Sequence, residues 1–195
     1  MGITNSNKQI DVTQIDCDGT LKVTLALSAA PDIAANPTDI VLVLDRSGSM
    51  AGSPLANMKV GANTFIDIID EATDGAQDGT IGSGSHIGIV SFANTATANT
   101  QLITSVETLK AAVDGLTAGG ATNHADAFTK AIELFDPNSS NEKVIVIFTD
   151  GKTTAGPPAA PIATAAKDSG IVIYCIGLIG EDGIDVDTLN VWASP

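Results

Sequence analysis

The sequence predicts an α/β fold with a mostly parallel central sheet, preceded by a short β-strand extension. Continuous apolar runs of strand length occur at 40–44, 144–148 and 171–178, as expected for strands covered on both faces. Between such runs lie segments in which apolar residues recur at helical spacing. Strands that alternate with helices at these intervals imply βαβ crossovers, and crossovers pair strands in parallel.

The extension, residues 1–38, differs in pattern from the rest of the chain. Its one strand-like run is 21–27, in which apolar residues alternate with other residues between flanking turn signals. A single strand is not stable alone in water. It must therefore pair with the edge of the main domain, residues 39–195, or with a partner domain that lies outside this sequence.

The first half of the main domain contains three predicted strands. After strand 40–44, Pro54 suits the first turn of a helix whose apolar positions run from 55 to 69. Residues 86–92 predict a second strand, and residues 102–103 predict a short third one.

The second half begins with a helix at 106–116, which Thr104 and Ser105 can cap. A glycine turn at 118–120 separates it from the next helix, 127–135. The remaining predicted elements are a strand at 144–148, a helix at 162–167, a strand at 171–178 and a helix at 185–193.

The charge balance excludes two classes of partner. Nine basic residues against 23 acidic ones give a formal net charge of −14. A nucleic-acid binder needs a basic face to neutralise phosphates, and binding to an anionic membrane surface needs the same. No run approaches the ~20 apolar residues of a membrane span. We therefore expect neither nucleic-acid binding nor membrane insertion.

Oxygen-bearing side chains follow the apolar strands where a site is expected. In an open parallel sheet, sites form at the carboxyl ends of the strands. Five candidate ligands lie there or in the glycine turn: Asp45, Ser47, Ser49, Thr122 and Asp150. Pure oxygen ligation suits a hard divalent cation, Mg²⁺ or Mn²⁺, with Ca²⁺ as a further candidate. No cluster of cysteine or histidine in the sequence indicates zinc.

These ligand types also indicate what the site does. Only Asp45 and Asp150 carry charge, and the other three donors are neutral hydroxyls. A cation held in this way stays electrophilic and leaves a coordination position for a partner oxygen. The natural further ligand is a Glu or Asp carboxylate of a protein partner. The pattern therefore predicts a docking point for an acidic side chain rather than a closed structural site.

Three motifs that contain these residues resemble the von Willebrand factor type A domain. The string DRSGSM matches the family's D-x-S-x-S metal-ion-dependent adhesion motif. The string GGATNHADAF places Thr122 at the family's metal-binding threonine, and FTDG places Asp150 at its second aspartate. The motifs occur in the family's order, so a complete metal-ion-dependent adhesion site is expected. The resemblance covers residues 39–195.

The resemblance implies a Rossmann-like three-layer α/β/α sandwich with Mg²⁺ at its top. It also implies that the domain binds a partner and is not an enzyme. Family members usually add a last strand and helix after the segment matching 189–193, so the domain is expected to be truncated at its C-terminus, unless those elements are replaced. Gram-positive surface and pilus adhesins often carry this domain inserted into a β-rich domain. On that basis residues 1–38 are half of such a discontinuous domain.

Two further residues are candidates for the rim of the ligand site. Arg46, the only arginine, could steer an acidic ligand, and the alternative is a solvent-facing loop residue. His124 lies two residues after Thr122, and the alternative is a capping or surface histidine. Catalytic motifs are missing. There is no G-x-S-x-G elbow, and Gly151-Lys152-Thr153 lacks the earlier glycine of a P-loop.

The leading hypothesis is a secreted or surface adhesion module that binds a protein through Mg²⁺. Scarce arginine and abundant Thr, Asn, Ser and Gly fit an exported protein. A disulfide between Cys17 and Cys175 would also imply export, and the sequence leaves that pairing open. The alternative is a cytoplasmic assembly module of a chelatase or AAA-type complex that uses the same metal site on a partner subunit.

Overall fold

The computed structural model describes residues 36–179 and 183–195. In these residues five strands form one sheet: β1 Thr38–Asp45, β2 His86–Phe92, β3 Ala96–Ala98, β4 Glu142–Thr149 and β5 Val172–Gly177. The helices are α1 Ser53–Asp74, α2 Val106–Asp114, α3 His124–Glu133, α4 Ala160–Asp168 and α5 Val186–Trp192, with a 3₁₀ turn at Gly48–Met50.

The strand order is β3-β2-β1-β4-β5, with β1 at the centre. It pairs in parallel with both β2 and β4, and β5 pairs in parallel with β4. The carboxyl ends of β1, β2 and β4 therefore meet at one edge of the sheet. The predicted α/β class with a mostly parallel sheet and Rossmann-like architecture is confirmed.

Two apolar cores lie on the two faces of the sheet. Val41 and Val43 of β1 face the core that is shared with α3, α4 and α5. Ile40, Leu42 and Leu44 face the core that is shared with α1 and α2. Successive side chains of a strand point to opposite faces, so a strand covered on both sides must be apolar throughout. This explains why the central strands have continuous apolar sequences.

The predicted third strand at 102–103 is wrong. The third strand is Ala96–Ala98, because the chain turns back directly after β2 and pairs antiparallel with it. Farther along, Asn99 and Thr100 both donate their backbone N–H to the Ile89 carbonyl, which interrupts the regular ladder. Ile103 then forms only an isolated bridge to Ile87. Alternation in the sequence could not locate this break, since it arises from the pairing itself.

Other elements differ from prediction mainly at their ends. Helix α1 extends farther than predicted and ends at Gly75, whose φ of 83° closes the helix in a left-handed conformation. The predicted cap of α2 is confirmed, since the Ser105 hydroxyl accepts a hydrogen bond from the Thr108 N–H. β5 is the last strand of the described sheet, and Tyr174 is consequently 41% exposed.

Two predictions fall outside the described residues. They are the N-terminal strand at 21–27 and the pairing of Cys17 with Cys175. Within the described ranges, no helix is both long and apolar enough to cross a membrane.

Candidate functional site

The residues proposed as metal ligands lie at the carboxyl edge of the sheet. Asp45 ends β1, Asp150 follows β4, and Thr122 lies just before α3. Asp45, Ser47 and Asp150 are fully buried, Thr122 is nearly so, and Ser49 is half-buried. Buried polar side chains at a loop edge need partners. The hydrogen bonds of each of these side chains are therefore described in turn.

The Asp45 carboxylate is held through both of its oxygens. Its Oδ1 accepts a hydrogen bond of 2.8 Å from the Ser47 N–H, and its Oδ2 accepts one of 2.6 Å from the Thr149 hydroxyl. The second bond follows from sheet register: Leu44 pairs with Phe148, so the next residue of each strand lies beside the other. The hydroxyl oxygens of Ser47 and Ser49 are 3.2 Å apart.

Backbone hydrogen bonds join the loop after β1 to the glycine turn. The Gly119 N–H donates to the Arg46 carbonyl at 2.8 Å, and the Gly48 N–H donates to the Gly120 carbonyl at 2.9 Å. Gly120 has a φ of 89°, and a Cβ there would lie 2.2 Å from Asn94 Oδ1. The position therefore requires glycine on both counts.

The loop after β4 is joined to Thr122 in the same manner. The N–H groups of Thr154 and Ala155 both donate to the Thr122 carbonyl, at 3.0 and 3.1 Å. In return, the Thr122 N–H donates to the Thr154 hydroxyl at 2.9 Å. The structure thus brings all three motif-bearing loops into one hydrogen-bonded assembly.

The two carboxylate oxygens of Asp150 have different surroundings. Its Oδ1 accepts a hydrogen bond of 3.0 Å from the Lys152 N–H. Its Oδ2 is buried and has no hydrogen-bond partner among the residues that the structure describes. An unpaired buried carboxylate oxygen is costly unless something positive meets it.

The pKa of Asp45 also reflects the burial of negative charge at this edge of the sheet. Burial raises the pKa of Asp45 above its ordinary value, hydrogen bonds from Ser47 and Thr149 lower it, and the charge of Asp150 raises it further. A divalent cation would relieve both the burial of charge and the repulsion between the carboxylates. Within the described ranges, no three His, Cys, Asp or Glu side chains cluster to hold a metal, so hydroxyls would complete the ligand set. The donors present therefore fit a hard cation.

The two predicted rim residues have different positions. Arg46 is half-buried in the loop after β1, and its N–H donates to the Phe92 carbonyl. His124 is the first residue of α3 and is fully buried, so the expectation of a surface or ligand-rim histidine is wrong. The reason is tertiary: its ring lies against Phe92 and Trp192, with centroids 5.1 and 4.6 Å away.

Sequence reasoning missed Thr149, which contacts both Asp45 and the His124 ring. Its position directly before Asp150, at the end of an apolar run, was the only available signal. It also missed Trp192 of α5, whose ring packs against the His124 ring. Nothing in the local pattern near Trp192 indicates a contact with α3, because the two helices are separated in sequence by two strands and a further helix.

The sheet order and the aspartate- and hydroxyl-bearing loops at its carboxyl edge define a class of domain, and a family comparison identifies it. The von Willebrand factor type A domain matches residues 39–195. The chain therefore belongs to the von Willebrand factor type A domain family.

Curated relatives include matrilin-3 of Mus musculus, 32% identical over 172 residues that cover 82% of this chain and 33% of that protein. Another is the collagen alpha-1(VI) chain of Gallus gallus, 27% identical over 170 residues that cover 82% of this chain and 16% of that protein. The chain spans about a third of the length of the matrilins it matches.

Solved structures share the fold. Proximal thread matrix protein 1 from the mussel byssus is 28% identical with a TM-score of 0.67, and the match covers 83% of this chain and 40% of that one. A second structure of that protein is 27% identical to this chain, with the same TM-score and coverage. Zinc occupies its metal-ion-dependent adhesion site (MIDAS) motif. The type V pili tip protein Mfa5 of Porphyromonas gingivalis shares the fold alone, at 21% identity and a TM-score of 0.54 over 61% of this chain and 20% of that one.

Proposed function

We propose that this domain binds a divalent cation, Mg²⁺ in the first instance, and uses it to bind an acidic side chain of a protein partner. The cation ligands are Asp45, Ser47, Ser49, Thr122 and Asp150. The observation that carries the proposal is the buried Oδ2 of Asp150, which has no partner among the described residues and lies in the field of a second buried carboxylate. A complete metal-ion-dependent adhesion site is part of this proposal.

The ligand set explains why a partner carboxylate is the expected ligand. When bound, the cation supplies a Lewis-acidic centre for an anionic oxygen. Asp45 and Asp150 supply two negative charges, and the hydroxyls of Ser47, Ser49 and Thr122 add none. Those two charges balance a divalent cation, and five ligands leave one position of an octahedral site open. The direct attraction of the cation favours an anionic oxygen in that position over a neutral one. Binding rather than catalysis is the proposed activity.

The donor chemistry also ranks the cations. All of the proposed ligands are oxygen donors, which favours Mg²⁺ and Mn²⁺, with Ca²⁺ next. Zinc occupies the MIDAS motif of the mussel relative, which is 27% identical to this chain. Zn²⁺ is therefore a necessary competitor in any metal titration.

The proposed setting is outside the cell or on its surface. Support comes from similarity to a collagen chain and to a byssus matrix protein, and from the low arginine content. We also retain the proposal of a bacterial surface or pilus adhesin, in which residues 1–38 belong to a discontinuous β-rich domain and 39–195 form the metal-binding domain. The order of the three motifs supports the metal-binding part of it.

The direct test is calorimetric titration with Mn²⁺, followed by acetate as a carboxylate probe. Wild type should bind one Mn²⁺, and acetate should then displace metal-bound water, measured by water-proton relaxation. The Asp150→Ala variant should lose both effects. Its control is Asp168→Ala, which removes an equal charge from an exposed position at the end of α4.

Two results would contradict the proposal. One is a wild-type domain that binds no Mn²⁺, Mg²⁺ or Ca²⁺ at millimolar concentration. The other is a domain in which Asp150→Ala binds Mn²⁺ as tightly as Asp168→Ala does. Tight binding of Zn²⁺ alone would support a metal site and overturn the choice of Mg²⁺.

A further inference from the structure

A hydrogen-bonded chain of side chains runs from the surface loop after β4 to the Asp45 carboxylate. The Thr153 hydroxyl lies 2.8 Å from Nδ1 of His124, and the Thr149 hydroxyl lies 2.8 Å from Nε2 of the same ring. Thr149 Oγ1 in turn lies 2.6 Å from Asp45 Oδ2. Every polar atom of the His124 side chain is therefore engaged.

The directions of these hydrogen bonds follow from counting protons. Asp45 must be ionised to ligate a cation, so its Oδ2 only accepts, and the single hydroxyl proton of Thr149 is donated to it. Thr149 Oγ1 must then accept from His124, which places the ring proton on Nε2. On the other side of the ring, Nδ1 lies within hydrogen-bond distance of the Thr153 hydroxyl. From His124 to Asp45 the chain thus runs in one direction, with Nε2 donating to Thr149 and Thr149 donating to Asp45.

The surroundings of the ring hold it in this one state. His124 is fully buried, with its ring between Phe92 and Trp192. Each of its two nitrogens faces one threonine hydroxyl at 2.8 Å, so the ring has a hydrogen-bond partner on either side. Trp192 is itself supported edge-on by Phe128, with ring centroids 5.5 Å apart. Neither the ring position nor its tautomer is free to change without loss of a contact.

We infer that His124 is a positioning residue of the metal site, which orients the Asp45 carboxylate through Thr149 and so sets the affinity for the cation. This inference rests on the proposed metal-binding function. The Ser47 N–H holds one Asp45 oxygen and the Thr149 hydroxyl holds the other, so the carboxylate plane has two fixed points. The Thr149 oxygen also accepts a hydrogen bond of 3.1 Å from the Gly151 N–H. Without His124 it keeps that bond and loses the ring nitrogen, the second donor that directs the Thr149 proton towards Asp45.

The expected loss of Mn²⁺ affinity is the loss that is typical when an outer-sphere partner of a metal ligand is removed. Loss of a group that orients a metal ligand costs roughly 10–100-fold in metal affinity. A histidine that served only to fill the core would instead affect folding and leave Mn²⁺ affinity unchanged. Metal affinity measured on folded protein therefore separates the two roles.

The experiment is calorimetric titration of Mn²⁺ into paired variants. His124→Leu and Thr149→Val keep the bulk and remove the hydrogen bonds, and each should weaken Mn²⁺ binding roughly 10–100-fold. His124→Gln and Thr149→Ser restore a donor at the same place and should recover most of the affinity. The double variant His124→Leu/Thr149→Val should lose little more than either single variant, because both break one chain.

Leu109→Ala provides the stability control. It removes a fully buried side chain of α2 from the core on the opposite face of the sheet, so it destabilises the fold and should bind Mn²⁺ as wild type does. Trp192 is the only tryptophan in the sequence and touches the His124 ring. Its fluorescence should therefore shift in the His124 variants and stay unchanged in Leu109→Ala, provided that each is folded.

The outcomes are distinct. If wild type binds Mn²⁺ and folded His124→Leu binds it within twofold of wild type, the positioning role is wrong and the metal site stands. If His124→Leu does not fold, the Mn²⁺ affinities of Thr149→Val and Thr149→Ser are compared instead. Equal affinities for these two variants overturn the inference. If wild type itself binds no Mn²⁺, the proposed function fails and the inference fails with it.

Discussion

Replacing Asp150 with asparagine should stabilise the metal-free domain and abolish the stabilisation that metal gives to wild type. In the absence of metal, Asp150 Oδ2 is a buried carboxylate oxygen without a partner in the described structure, and its charge opposes ionisation of Asp45. Asparagine keeps an oxygen for the Lys152 N–H and removes the charge. The metal-free variant should therefore be more stable than wild type.

The size of the effect is the difference between an unpaired buried carboxylate oxygen and the neutral amide nitrogen that replaces it, and we take it as about 1–3 kcal/mol because a charged unpaired group costs more than a neutral one. For a domain of this size each kcal/mol moves the melting midpoint by roughly 2–4 °C. We expect metal-free Asp150→Asn to melt about 4–8 °C above wild type, taking the middle of the first range. Metal at ~100 times its Kd should stabilise wild type by about 2.7 kcal/mol and leave the variant unchanged. In the presence of metal, the melting midpoint of wild type should then equal or exceed that of the variant.

The assay is a thermal melt of both proteins in EDTA and in excess Mg²⁺ or Mn²⁺. Asp168→Asn serves as the control, because its carboxylate is exposed and the two buffers should shift it as they shift wild type. The reasoning is refuted if Asp150→Asn is no more stable than wild type in EDTA. It is equally refuted if metal raises the midpoints of Asp150→Asn and wild type by the same amount.

Three further predictions concern other parts of the domain. Gly120→Ala should lower the free energy of unfolding by about 2 kcal/mol, from the left-handed backbone and from loss of the 2.6 Å hydrogen bond that Asn94 Oδ1 accepts from the Ala121 N–H. Gly170→Ala, with the same φ of 89° and open space around it, should cost less in the same urea titration. Asp39→Ala should lower the free energy of unfolding by about 3 kcal/mol, because this buried carboxylate has three side-chain partners at 2.9–3.2 Å. In the same urea unfolding, Asp39→Asn should recover part of that loss. Burial raises the pKa of Cys175 to about 12, so in a Cys17→Ser background its alkylation rate should climb about tenfold per pH unit from 7 to 10; a plateau near pH 9 would contradict that value.

Much of the site was predictable from sequence because its residues follow patterns with local causes. A buried parallel strand must be apolar on both faces, so the ends of β1 and β4 are visible as the points where apolar residues stop. Asp45 and Asp150 stand at those points, and a glycine turn marks the approach to Thr122. The elements that bear the site were therefore assigned correctly, whereas β3, a three-residue strand without a periodic signal, was misplaced.

Two properties of the site depend on sheet order. Thr149 reaches Asp45 across 104 positions of sequence, because β4 lies beside β1 in parallel register. His124 is polar and begins a helix, which by local pattern indicates a capping or surface position. Its burial comes from Phe92 on β2 and Trp192 on α5, two elements distant in sequence.

The amino-acid sequence is enough to predict the fold class, the strands that end at the site, and the oxygen-bearing side chains available there. Local periodicity encodes these features, since it reflects which face of each element is buried. The tertiary structure is needed to show which carboxylate oxygen lacks a partner and which groups the two nitrogens of His124 face. Those depend on distances of about 3 Å between residues far apart in the chain, and only the packing of the sheet against its helices sets such distances.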